Sequence, residues 1–311
     1  MPDPRPLRRL GFLTIGLFDS AWLRHRHLQH GISSPVTIMA AASQRTKRIE
    51  LGTAVTPLGA ENPFRLAEDL GTLDVLAHGR INPGFSVGAP MNYDRYKHSL
   101  YPDTHEAEDL SYSRLERLLA YLDGEPVSDF EGTMGIETFS RQIQPQSPGL
   151  RQRIWYGGGS LGSCTWAGER GLNLLTSSVV KAEGSTDDFA TIQRRHIEAF
   201  RAAHPAGETA RVSQGLVVIP TDSATPEQRA KYAAYAEARL PRTRAPQGPA
   251  GLLFAPDLVG SSAEIAEMLR AHAGFQAVDE VAFALPFSFE HADYVQILTD
   301  LANRLGPALG R

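Results

Sequence analysis

Three stretches of this 311-residue chain hold residue types whose spacing could do chemistry. The first runs Arg153-Ile-Trp-Tyr-Gly-Gly-Gly-Ser-Leu-Gly-Ser-Cys-Thr-Trp-Ala167, from an apolar strand through glycines into a helix. Gly157, Gly159 and Gly162 satisfy the G-x-G-x-x-G spacing. Glycines let backbone approach an anion, and the N–H groups at a helix start bind phosphate. Ser160 and Ser163 add two hydroxyl donors at the first turn, more than one cap requires; a tight turn with a Ser N-cap is the alternative. A dinucleotide site needs an acid at the end of the next strand for the ribose. That strand ends Leu174-Leu-Thr-Ser-Ser178, with no acid before Glu183, so a mononucleotide-type phosphate fits better.

The second stretch is Arg24-His-Arg-His-Leu-Gln-His30. A neutral imidazole of His25 or His27 could take and return a proton near pH 7; a solvated basic loop is the alternative. His25-Arg-His27 also matches the H-x-H of metal-dependent amidohydrolases, which need further ligands at later strand ends. Leu172–Ser177 and Arg211–Ile219 end in Ser and Pro-Thr instead, so no metal is expected. In the third stretch, Met91-Asn-Tyr-Asp-Arg-Tyr-Lys-His98, the residues Tyr93, Tyr96 and His98 are candidates for a substrate pocket, though a surface loop has the same composition. Arg80, Asp74 and Glu68 read as structural ion pairs, and Cys164 as a buried thiol.

The elements that must position these residues alternate along the chain. Strands are expected at Leu10–Phe18, Ser20–Arg24, Ile49–Thr56, Arg80–Val87, Arg153–Gly157, Leu172–Ser177, Arg211–Ile219 and Glu280–Leu285. Most are apolar for several residues in a row, as in parallel strands covered on both faces. Helices are expected near Pro35–Thr46, Pro63–Ala77, Thr104–Leu122, Ser160–Arg170, Ser185–Ala203, Ser261–Ala273 and His291–Leu305. Pro35, Pro63 and the Ser261-to-Glu264 capping box mark starts. Eight strands with interposed helices favour a single α/β domain, a (β/α)8 TIM-type barrel. Residues 124–150, rich in Gly and Pro, read as an inserted excursion, and 220–256, a short Ala-rich helix over Pro226–Leu240 followed by a Pro-rich tract, as a candidate mobile lid that resists regular structure. Only Asp19 separates the first two strands, too little for a parallel crossover, so the first βα unit lacks its helix.

Composition narrows the function. The chain is 42% hydrophobic and 21% charged with net charge −4, which excludes a mainly disordered chain and offers no basic surplus for nucleic acid. No run of 18 apolar residues is present, so no membrane span is expected. One cysteine and a polar N-terminus without a signal-peptide pattern point to the cytoplasm.

On these residues the chain resembles the bacterial luciferase-like flavin monooxygenases over most of its length. The resemblance is carried by Arg45-Thr-Lys-Arg-Ile-Glu-Leu-Gly-Thr-Ala-Val55, Asn62-Pro-Phe-Arg-Leu-Ala-Glu-Asp69, Leu73-Asp74, Gly79-Arg80, the Ser160-to-Leu172 segment, Val259-Gly-Ser-Ser-Ala-Glu264 and Asp279-Glu280. It implies a TIM-type barrel binding reduced FMN, or in one branch the deazaflavin F420. Ser160 and Ser163, with Gly157, Gly159, Leu161 and Gly162, would hold the flavin phosphate. Ala54 and Val55 would lie beside the ring at the family's non-prolyl cis peptide. His25 or His27 would be the catalytic histidine of the mouth. The luciferases proper carry a phosphate-binding Arg where this chain has Val87, leaving Arg95 or Lys97 as sources of charge. The implied activity is a two-component monooxygenase: a separate flavin reductase supplies reduced FMN, O2 forms a C4a-hydroperoxyflavin, and a small organic substrate is oxygenated by a homodimer. The alternatives are an F420-dependent oxidoreductase of the same superfamily and a non-catalytic flavin-binding relative.

Overall fold

Helix starts form where the sequence supplies a side-chain cap, a first-turn proline or both. A computed structural model describes residues 18–184, 186 and 188–310. The expected strand Leu10–Phe18, and with it the expected missing helix, lies outside these residues except for Phe18. The described residues divide into two compact units, 19–156 and, together with Phe18, 157–310.

In the first unit, β1 (Ser20–Leu23), β2 (Glu50–Thr53) and β4 (Ile81–Asn82) pair parallel, with Ser20 opposite Glu50 and Leu51 opposite Ile81. A second parallel set joins β3 (Thr56–Pro57), β5 (Gly84–Ser86) and β8 (Trp155–Gly157) through Thr56 opposite Phe85 and Gly84 opposite Trp155. The continuous strand expected over 80–87 is two short ones because Pro83, between them, has no N–H to give a ladder. Gly52 is required by packing: a Cβ there would lie 2.4 Å from Cε3 of Trp22, whose ring meets Trp155 edge-on at 5.3 Å.

Helix α1 (Pro35–Ser43) follows β1, and α2 (Pro63–Leu76) is capped by Asn62 Oδ1, which accepts from Phe64 N at 2.9 Å. Leu66, Leu70 and Leu73 form the buried face of α2. Helix α3 is Tyr112–Leu122, eight residues shorter at its start than expected. Ser111 caps it, and Asp109 Oδ1 accepts from Ser111 N at 2.8 Å, so local side-chain bonds replace the helical ladder over 109–111, while 104–107 is a backbone-bonded turn. Asp74 forms the expected ion pair, accepting two 2.8 Å bonds from Arg153, and Glu68 pairs with Arg65. Arg80 departs from expectation: it donates to the carbonyls of Ile49 (2.7 Å), Ser43 (2.9 Å) and Thr46 (3.0 Å). Within the 124–150 excursion, β6 (Gly132–Met134) and β7 (Glu137–Phe139) form an antiparallel hairpin.

In the second unit, β9 (Asn173–Thr176), β11 (Val212–Gln214) and β15 (Glu280–Val281) are parallel neighbours. β12 (Val218–Pro220) pairs parallel with β14 (Leu258–Gly260), and β10 (Val179–Lys181) antiparallel with β13 (Leu252–Phe254). Helices α4 (Leu161–Glu169), α5 (Phe189–Ala203), α6 (Pro226–Arg239), α7 (Ser262–Ala271) and α8 (His291–Asp300) intervene or follow. Their core gathers Phe189, Val218, Tyr232, Leu253, Ile265 and Ile297, with Phe18 packed against it. The 220–256 segment holds the helix expected from Pro226 and, past the Pro-rich tract, a paired strand. A Thr225–Gln228 capping box starts α6, β13 is paired, and Arg239 holds Asp257. Both units are α/β with parallel strands alternating with helices, the class expected.

Candidate functional site

In the first unit the parallel strands β1, β2 and β4 present their C-terminal ends on one edge, where α/β folds carry their sites. The loop after β1 supplies His25 and His27, β2 ends at Thr53, and Pro83 follows β4. His27, Thr53 and Pro83, with Thr56, Glu61, Asp69 and Phe85, line a cavity of about 350 Å³, large enough for a small ligand. The Ala54–Val55 peptide between the two threonines is cis, the bond type the resemblance implies at this step.

His25 is 3% exposed, and neither ring nitrogen has a hydrogen-bond partner among the described residues. Burial, reinforced by His27, Arg26 and Arg24, pushes its pKa down to about 4, so the ring is neutral at pH 7. His27 meets it edge-on with centroids 5.8 Å apart; its Nε2 is also unpartnered, and burial lowers its pKa. The two histidines therefore divide their places: His27 lines the cavity and His25 is buried behind it.

Glu61 completes this cluster and was not singled out from the sequence, where it reads only as the residue before the Asn62 cap. One ligand atom each of His25, His27 and Glu61 lie within 4.8 Å of one another. Burial, with a contribution from Asp69, raises the Glu61 pKa to about 7. Tyr96 extends the row, its ring 5.6 Å from His27, and Tyr93 stands 5.9 Å beyond. Both phenol oxygens are buried without partners among the described residues. His98 is not brought to this row: it is exposed and packs on His105 at 4.1 Å. Lys97 is engaged by Glu106 (2.7 Å) and Asp94 (3.5 Å).

The second unit holds the glycine–serine bend, where Ser160 caps α4. Ser160 Oγ accepts from Ser163 N (3.2 Å), and Ser163 Oγ accepts from Ser160 N (3.0 Å) and Gly159 N (3.2 Å). The Leu161 N–H donates to Glu183 Oε2 at 2.7 Å. That carboxylate also meets His196 Nε2 at 3.1 Å and Lys181 Nζ at 3.6 Å. His196 is 1% exposed, and burial, partly offset by Glu183, lowers its pKa. Gly158 is packed, since a Cβ would lie 2.7 Å from both Cys164 Sγ and Leu174 Cδ1, whereas a Cβ at Gly162 would meet nothing within 4 Å. The bend is half-exposed and its open side faces away from this packing. Burial pushes the Cys164 thiol up to about 12, which makes it inert.

Comparison with known proteins identifies the family. Residues 17–278 match the model of the luciferase-like monooxygenase family. The chain is 29% identical over 191 residues to 4-hydroxyprotoasukamycin monooxygenase of Streptomyces nodosus subsp. asukaensis, covering 60% of this chain and 50% of that one. It thus spans about half the length of the curated relatives it matches first. Among solved structures, the oxygenating constituent of 3,6-diketocamphane monooxygenase from Pseudomonas putida, in complex with FMN, is similar with a TM-score of 0.61 at 20% identity, over 94% of this chain and 88% of that one. An F420-dependent secondary alcohol dehydrogenase holding an F420–acetone adduct is similar with a TM-score of 0.59 at 14% identity, over 94% and 90%. These likenesses establish a common fold. With the family model matched over most of its length, the chain belongs to the luciferase-like monooxygenase family.

Proposed function

We propose that this chain is the oxygenating component of a two-component flavin monooxygenase, taking reduced FMN from a separate reductase and using O2 to oxygenate a small organic substrate. The observation that carries the reading is the cavity lined by His27, Thr53 and Thr56 at the ends of parallel strands, backed by a buried neutral imidazole. The family match and the FMN-bound relative support it.

The residues fit the cofactor's phosphate by their chemistry. The first turn of α4 already binds an anion, the Glu183 carboxylate on the Leu161 N–H, and a phosphate would exchange for it. Ser160, Ser163 and the open backbone at Gly162 would hold that phosphate, with Gly157 and Gly159 allowing close approach. Ala54, Val55, Thr53 and Thr56 would orient the ring. Reduced flavin, when bound, supplies the electrons that activate O2. His27, a residue of the cavity lining, would take a proton and return it, while His25 would fix the edge-on orientation of that ring. Tyr93 and Tyr96 would provide an aromatic wall for the substrate, and the reading gives 220–256 the part of a mobile lid. The reading makes the chain a cytoplasmic homodimer.

An F420-dependent hydride transfer is the second reading, favoured by the F420-bound relative. Anaerobic titrations with reduced FMN and with F420 separate the two. Saturable binding of reduced FMN, followed on admitting O2 by an oxygenated product, is the expected result. Release of H2O2 at the rate of free flavin, with no substrate oxygenated, would refute the oxygenase.

A further inference from the structure

We propose that His25, His27 and Glu61 form a binding site for one first-row divalent cation of the Zn2+ class. Three independent side chains converge. Their ligand atoms lie within 4.8 Å of one another, and two imidazoles with a carboxylate are a donor set of borderline character. Both nitrogens of His25 and Nε2 of His27 are buried and have no hydrogen-bond partner among the described residues. Native proteins rarely leave buried nitrogens in that state without a ligand to take them.

The geometry is close to that of a filled site. With bonds of about 2.1 Å, tetrahedral zinc holds its ligands about 3.4 Å apart, so side-chain rotations close the remaining gap. The cavity gives the cation a way in and leaves room for a water as fourth ligand, because His27 and Glu61 both line it. Charge around the site is mixed. Arg24 and Arg26 stand in the same loop as the histidines and oppose a cation. Asp69 lines the cavity beside Glu61 and favours one, since bringing a dication between the two carboxylates relieves their mutual repulsion.

Binding of the cation does not rest on the flavin reading, because it needs only these three side chains. Its consequence does. A metal bound to His27 occupies the lone pair that the proposed proton transfer uses, so the cation inhibits.

The test is titration of the full, metal-stripped chain with Zn2+ by calorimetry, and with Co2+ by its visible ligand-field bands. One equivalent should bind saturably, with the intense bands of a four-coordinate cobalt site. Glu61→Gln, isosteric and at the cavity edge, should weaken binding at least about tenfold, and His27→Gln at least as much. His105→Ala removes the surface pair with His98 and should change nothing. No saturable site, or equal affinity in Glu61→Gln and His27→Gln, overturns the proposal, as does loss of the site in His105→Ala. The flavin reading is probed separately: once oxygenation is measurable, one equivalent of Zn2+ should abolish it and a chelator restore it. Binding without inhibition would leave the site standing and count against the role of His27.

Discussion

Around His27, buried ring nitrogens and phenol oxygens have no partners among the described residues, whereas at the start of α4 both serine hydroxyls are bonded within the helix's own first turn. The two regions carry the strongest chemical signals in the sequence, and they differ in what folding has already used. An unmet hydrogen bond in a buried place costs stability and is held ready for a ligand; a met one belongs first to the fold. Ser160 and Ser163 are therefore caps before they are anything else. The orphan nitrogens of the histidine cluster have no such bonds among the described residues.

The contrast can be broken by experiment, most sharply at His27. His27→Gln should lower oxygenation at saturating reduced flavin by about 100-fold or more, the usual loss when a general acid–base group is removed. A single-turnover assay with product analysis reads this, and an unchanged rate would make the cluster structural. Next comes His25→Leu, close in volume and without orphan nitrogens. It should raise stability by about 1–3 kcal/mol in urea unfolding, since it deletes unsatisfied buried groups; a destabilised variant would mean that the imidazole has a partner after all.

Ser160→Ala should act in the opposite sense, losing about 1 kcal/mol of stability by removal of the cap. If Ser160 serves only as a cap, affinity for reduced FMN stays the same, whereas a shared role weakens both. The smallest effect is expected from acid. Burial holds the His196 pKa below its unfolded value, so the unfolded chain binds the extra proton first. Stability is thus full above pH 6.5 and declines as pH falls through the unfolded value toward the folded one. Melting temperatures of the native chain and of His196→Gln across that range should diverge; parallel curves would show that His196 does not titrate on unfolding.

Local rules made much of the chain legible. Asn62-Pro63, Ser261 with Glu264, and the apolar runs near 50, 173 and 212 carry their structure in their own side chains, because caps and strand burial depend on near neighbours. The class of fold and the family followed from them. The helix boundary at Tyr112 and the pairing of β10 with β13 did not, since Asp109 bonding to Ser111 and the partnering of Val179–Lys181 with Leu252–Phe254 depend on particular contacts that periodicity does not record.

The candidate sites divide in the same way. The types and spacing of Gly157 to Ser163 and of His25 and His27 were enough to mark an anion cradle and a proton-handling group, because each lies within a single turn or loop. That Glu183 fills the cradle, that His98 is turned to His105, and that Glu61 faces two buried imidazoles came only from the folded chain. Hydrogen bonds and desolvation are set by atoms a few ångströms away in space, and for His27 and Glu61 those atoms lie 34 residues apart along the chain.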